Sequence, residues 1–388
     1  MAYSSITNWV QFRPAMDNPL YFYGDVYNLP YAIGNWLWEL IGGLIAWLIN
    51  LILPGNGLSQ WLVSDSVTNA MAIILLVVII FAVAFIINIT MIWEERKILG
   101  RMMDRRATQV GPLGYLQNIA DGLKTFLKEN IVPKAVDKKG YFWAVSLVIG
   151  VAVLTACMIP LSDRWFIVDY KAGFLLLFGL FALAPFMILV AGWAQNNKYS
   201  LIGGMRAAAQ MISYEIPMLI VFASVVLMAG SFNINDVVHA QFDTMWYIIP
   251  QIIGFIVFIV AAVAEAERVP FDLPEAEAEL VEGWQTEYAG MKWGLIMLGD
   301  YFRGYVTCAL GVIMFLGGWM LPWLGAGPVP EIVFLLKVFL MFFVFAWIRA
   351  ALPRVRTDQI LNLGWKYLLP LATINLLIVV LLKVGGVF

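Results

Sequence analysis

Residues 67–93 read VTNAMAIILLVVIIFAVAFIINITMIW, and from Met71 to Ile87 there is not one charged side chain. A helix needs about 20 apolar residues to cross the hydrocarbon core, where no water can satisfy an open backbone. Residues 67–93 pass that test, and so do 141–161, 172–194, 210–230, 246–264, 299–321, 332–352 and 365–386. The predicted fold class is therefore all-α integral membrane: a bundle of eight transmembrane helices plus an amphipathic interfacial helix and an N-terminal extension. The extension, 1–66, contains a possible ninth hydrophobic helix at 31–53, and the eight-helix domain is 67–388. Residues 31–53 carry Asn35, Glu39, Asn50 and three Trp, so spanning and interfacial placements both stay open.

Composition agrees. The 388 residues are 62% hydrophobic and 13% charged, with a mean hydropathy of +0.83; soluble domains run near 45–50% apolar and 25% charged. A soluble fold is excluded. The net charge of -2 supplies no field for nucleic acid, and the lone histidine, His239, cannot build a zinc or haem site. No metal or covalent cofactor is expected, which leaves any redox centre to partner chains. Cys157 and Cys308 fall inside apolar runs and read as small buried hydrophobes. The first 20 residues lack the basic start and short apolar run of a cleaved signal, so insertion is expected through the spans themselves. No internal repeat is evident, which argues against inverted-repeat transporters.

Lys and Arg resist translocation and so orient the bundle. With 94–140 placed in the cytoplasm, alternation puts 195–209, 265–298 and 349–366 on the same side, and these four segments hold 18 of the 24 basic residues. The opposite loops, 162–171, 231–245 and 322–331, contain only Arg164 and Lys171. Large loops inside and small ones outside suit a membrane protein docked to a cytoplasmic partner.

Four polar stretches carry the candidate chemistry. The first runs from Ala264 to Gly294, AEAERVPFDLPEAEAELVEGWQTEYAGMKWG, and sets Glu265, Glu267, Asp272, Glu275, Glu277, Glu279, Glu282 and Glu287 against Arg268 and Lys292. Carboxylates crowded at a bilayer edge repel one another, and burial penalises their charge, so several are expected to hold protons near neutral pH. Glu265 ends an apolar span, where a charge is costly unless used. The second stretch, 196–217, places Glu215 inside an apolar run behind Arg206 and Gln210, as either a packing hydrogen bond or a proton carrier. The third, WEERKILGRMMDRR at 93–106, clusters Arg96, Lys97, Arg101, Arg105 and Arg106, and 111–129 follows it as an amphipathic helix lying flat on the membrane. The cluster either obeys the positive-inside rule or grips a partner and anionic lipid; the Glu94–Glu95 pair fits the first idea poorly. The fourth, 348–366, holds Arg349, Arg354, Arg356 and Asp358 between two spans.

Together, RVPFDLPEAEAELVEGWQTEYAGMKWG, GWAQNNKYSLIGGMRAAAQMISYEIP, WEERKILGRM with VGPLGYLQNIADGLK, and PRVRTDQILNLGWK resemble membrane subunit 1, also called the H subunit, of NADH–quinone oxidoreductase, the complex I family. The resemblance implies an eight-helix protein of the inner cell membrane that forms the entrance and wall of a quinone chamber. Its substrate would be ubiquinone, menaquinone or, in an archaeal deazaflavin-linked relative, methanophenazine. Peripheral iron–sulfur and quinone-site subunits would dock on the cytoplasmic side, with small membrane subunits, antiporter-like pump subunits and lipids around the bundle. Carried over, Glu215, Glu265, Glu275, Glu277, Glu279 and Glu287 would form a proton path, and Arg96, Arg101, Asp272, Arg349, Arg354, Arg356 and Asp358 would border the chamber. The loop arginines would orient a quinone head, pair with the acids, or simply mark the inner side. Two departures stand out: Ala107-Thr108-Gln109 precedes Val110 where the family shows Gly-Pro-Asn-Arg, and Thr357 replaces a Tyr. A membrane anchor of an energy-converting hydrogenase, which shares the PFD and EAE patterns, is the alternative.

Overall fold

The computed structural model describes residues 10–11, 29–52, 65–167, 169–274, 276–321 and 329–385, and these are mostly helical. In chain order the helices are α1 (Leu29–Ile52), α2 (Asp65–Met102), α3 (Leu116–Leu127), α4 (Lys138–Met158), α5 (Gly173–Phe181), α6 (Ala184–Ala194) and α7 (Lys198–Ala229). Then come α8 (Ile234–Asp243), α9 (Ile252–Glu265), α10 (Met291–Phe315), α11 (Pro330–Ala351) and α12 (Thr357–Val384). An antiparallel pair joins β1 (Val10–Gln11) to β2 (Asp169–Tyr170).

Among the described residues, six helical segments are long and apolar enough to cross a membrane: α2, α4, the α5–α6 tandem, α7, α11 and α12. Two expected spans fall short of that measure for different reasons. Helix α9 has 14 residues, about 21 Å at 1.5 Å per residue against a core of about 30 Å, because 246–251 is irregular. Helix α10 has 25 residues but carries Asp300 and Arg303 in its first half, which lowers its hydropathy. Both nevertheless pack inside the bundle: Val257, Phe258, Ala261, Ala262 and residues 304–315 are buried.

Boundaries also move where caps rule over hydropathy. Asn197 accepts from the Tyr199 amide at 3.1 Å, so α7 starts a dozen residues before its expected apolar edge. Asp137 and Asn233 cap α4 and α8 in the same way. The run 67–93 continues helically through the basic motif to Met102, which lifts Glu95, Arg96, Lys97 and Arg101 onto α2. The amphipathic helix forms as α3, with no residue buried and Leu123, Phe126 and Leu127 exposed along its apolar side. Helix α1 runs against α2 so closely that a Cβ on Gly34 would lie 2.9 Å from the Ala72 carbonyl. Within α7, Pro217 removes the amide that would bond the Ser213 carbonyl. Gly364 of α12, in a π-helical turn, fits against that carbonyl, 3.1 Å from where its Cβ would be.

Candidate functional site

The loop after α9 turns back into the bundle instead of leaving it, and this turn builds the site. The Arg268 amide bonds the Val263 carbonyl at 3.3 Å, and the Val355 amide bonds the Pro270 carbonyl at 3.0 Å. Residues 265–272 are thereby held between α7, α10 and the segment joining α11 to α12.

Glu95 of α2 is 2% exposed. Arg268 donates to both of its oxygens at 3.1 Å, and Arg349 of α11 donates to Oε1. The Arg268 guanidinium also lies 4.2 Å above the Tyr301 ring. One turn along α10, Arg303 pairs with Asp300 at 2.5 Å and stands 3.7 Å from Glu267. Asp272 accepts from Arg354 at 3.2 Å. These groups border a cavity of about 130 Å³ lined by Glu267, Arg268, Asp272, Asp300, Tyr301 and Arg349 among others.

Pairing is incomplete. Both carboxylate oxygens of Glu267 and one of Glu265 are buried without a hydrogen-bond partner. An unpaired buried charge is costly, and the usual relief is to take up a proton. Burial pushes the Glu267 carboxyl up to about 7, with Arg303 opposing and Asp300 and Asp272 adding to the rise. Burial also raises Asp272, against the pull of Arg354 and Arg349. Arg268 stays charged: burial works against it, but Glu95 more than compensates.

The residues singled out from sequence divide into two groups. Glu265, Asp272, Arg349 and Arg354 come together here, and Glu215, 9% exposed on α7, stands near enough for its charge to act on Glu265. Elsewhere, Arg96 pairs with Asp121 of α3 at 2.6 Å, and Arg206 pairs with Glu279 at 2.7 Å. Glu287 accepts from Asn197 at 2.8 Å, beside the stacked Tyr141 and Tyr288. Arg101 is exposed at the end of α2, and Arg356 and Asp358 form an exposed pair at the start of α12. Glu275 and the side chain of Glu277 lie outside the described residues. Sequence reasoning misses Asp300, Tyr301 and Arg303, although two charges three residues apart inside a predicted span are the sort of signal that marks function. Glu95, Glu267 and Arg268 are visible in it but unassigned, because nothing local shows that α2 and the 265–272 loop meet. Among the described residues, no group of three His, Cys, Asp or Glu is arranged to hold a metal ion.

A polytopic helical membrane protein with a buried, partly unpaired acid–base cluster at one end defines the class: a membrane protein built around ionisable groups. A family model described as NADH dehydrogenase matches residues 73–380, and the chain belongs to that family. It is 43% identical over 304 residues to the H subunit of NADH-quinone oxidoreductase from Paramagnetospirillum magneticum, covering 76% of this chain and 89% of that relative. It is 44% identical over 312 residues to the proteins of the same name from Bacillus thuringiensis and Bacillus cereus, covering 80% of this chain and 93% of each.

Proposed function

We propose that this chain is the H subunit of a complex I type NADH–quinone oxidoreductase, enzymatic only within its assembly. It forms the quinone chamber with its entrance, and couples quinone reduction to proton translocation. In this reading α9 and α10 complete a set of eight spans in the cytoplasmic membrane, with 94–140, 195–209, 265–298 and 349–366 on the inner side. Peripheral iron–sulfur subunits dock on that side, and antiporter-like subunits lie in the membrane beside the bundle. The acids Glu215, Glu265, Glu275, Glu277, Glu279 and Glu287 belong to the proton path; Glu267 and Asp300 join them. Arg96, Arg101, Asp272, Arg349, Arg354, Arg356 and Asp358 border the chamber, with Asp272, Arg349 and Arg354 at the buried cluster and the other four nearer its outer rim.

The observation that carries this reading is the set of buried carboxylate oxygens without hydrogen-bond partners beside the charged cavity. Such acids respond to a charge that appears nearby. At an effective dielectric of about 20, a unit charge 10 Å away is worth roughly 1.7 kcal/mol, a little over one pKa unit. That suffices to load or release a proton from an acid poised near neutrality. Glu267, raised to about 7 by burial, is poised there.

The test uses the assembled complex in membranes. Glu265→Gln and Glu215→Gln each keep size and remove the titrating group, and each is expected to lower quinone-linked turnover and proton translocation together, by about tenfold or more. Wild-type rates of both in either variant would remove that residue from the path.

A further inference from the structure

The turn that carries Glu265, Glu267 and Arg268 runs from Ala264 to Phe271, and both its ends converge on one side chain. Gln210 of α7, 3% exposed, donates from Nε2 to the Ala264 carbonyl at 3.0 Å and to the Phe271 carbonyl at 2.9 Å. The two amide hydrogens thus tie the two mouths of the loop together. Its Oε1 is buried without a hydrogen-bond partner. A Lys or Arg could make the same bonds, but would put a full positive charge next to the acids and change how tightly they hold protons. A primary amide closes the loop and leaves the local charge untouched.

We propose that Gln210 is a positioning residue of the acid cluster, a neutral staple that fixes the backbone of 264–271 and so sets where Glu265, Glu267 and Arg268 stand. This rests on the functional reading above and deepens it. Through the staple, the position of Glu267 relative to Arg303, 3.7 Å away, and of Arg268 relative to Glu95, 3.1 Å away, depends on α7. The ionisable neighbours of the turn include Tyr214 and Glu215 on α7, Asp300, Tyr301 and Arg303 on α10, Glu95 on α2, and Arg349 and Arg354 across from Asp272.

The experiment compares Gln210→Met, Gln210→Glu and the wild type in assembled complex, reading subunit content, quinone-linked turnover and its pH profile. Met keeps the length and bulk but donates nothing. It is expected to assemble, to lose roughly tenfold in turnover, the scale of the one carbonyl left unpaired, Phe271, since Ala264 keeps the Glu267 amide, and to displace the pH optimum by about one unit. A side chain that only filled space would leave the profile where it was. Glu donates one hydrogen bond as the acid and none as the carboxylate, so that variant is expected to work at low pH and fail as pH rises. If Gln210→Met does not assemble, the Glu variant decides: restored turnover on the acid side supports the staple, and a loss independent of pH overturns it. A Gln210→Met complex with wild-type rate and profile also overturns it. Should Glu265→Gln prove silent while Gln210→Met shifts the profile, the staple survives and the proton path through Glu265 is the part that fails.

Discussion

The two ends of the bundle bury polar groups by opposite rules. At the end that carries the acidic loop, Glu95, Glu267, Arg268, Asp300 and Arg303 bring ionisable groups together inside the protein and several oxygens go unpartnered. At the far end the buried polar groups are mostly neutral and matched. Ser224 donates to Gln251 at 2.7 Å and accepts from Asn375 at 3.0 Å, while the Asn375 carbonyl takes the Gly254 amide at 3.1 Å. That last bond caps α9, whose first amides open inside the bundle. Gln241 donates to the Ile313 carbonyl at 2.7 Å. The buried cation there, Lys337, directs its ammonium to the carbonyls of Leu316, Gly318 and Met320 at 2.7, 2.8 and 2.7 Å. None of these far-end groups keeps a buried unpartnered atom among the described residues. A satisfied network serves architecture; an unsatisfied charged one is tolerated where protons or ligands complete it.

The largest expected effect falls on the charged end. Arg268→Met leaves buried Glu95 with Arg349 as its one remaining cation and the Tyr301 hydroxyl as a neutral partner, and removing one partner of a buried ion pair costs about 3–5 kcal/mol. The variant complex should be recovered in greatly reduced amount or melt many degrees lower; normal yield and melting would show that Arg349 suffices and that the two ends do not differ as described. Next is the pH response of Glu267. Its carboxyl is raised from 4.5 to about 7 by burial, so the native protein binds more protons there than the unfolded chain, and this group takes stability away as pH climbs between those values. Glu267→Gln should flatten the melting temperature between about pH 5 and pH 7 relative to wild type. An equal slope in both would mean that Glu267 does not titrate in that window. The smallest effect belongs to the far end: Asn375→Leu leaves the Gly254 amide unpaired and should cost about 1–3 kcal/mol, while leaving the pH profile of turnover unchanged in the complex that survives. A displaced profile would erase the distinction between the ends.

The sequence reading and the structure agree where chemistry is local and part where it is not. The apolar runs that begin at 67, 332 and 365 fall within α2, α11 and α12 because lipid allows nothing else, and the periodicity of 111–129 becomes the exposed apolar side of α3. Arg96 is legible as a basic residue of the loop face, yet nothing in its neighbourhood announces Asp121 as its partner, 25 positions on. Glu279 and Glu287, grouped with the other acids by spacing, point to Arg206 and Asn197 and lie apart from the Glu267 cluster. A chain that reverses at 283–290 can send neighbouring carboxylates to different places.

What the sequence determined by itself is therefore the membrane, the helices and the family, since each depends on residues close together in the chain and on the cost of an open backbone in hydrocarbon. Tertiary structure decided which charges meet across distant parts of the chain. Glu95 lies 173 positions from Arg268 and 254 from Arg349, and contacts at that range are chosen by how helices pack and where a loop turns back, which no short stretch of chain encodes.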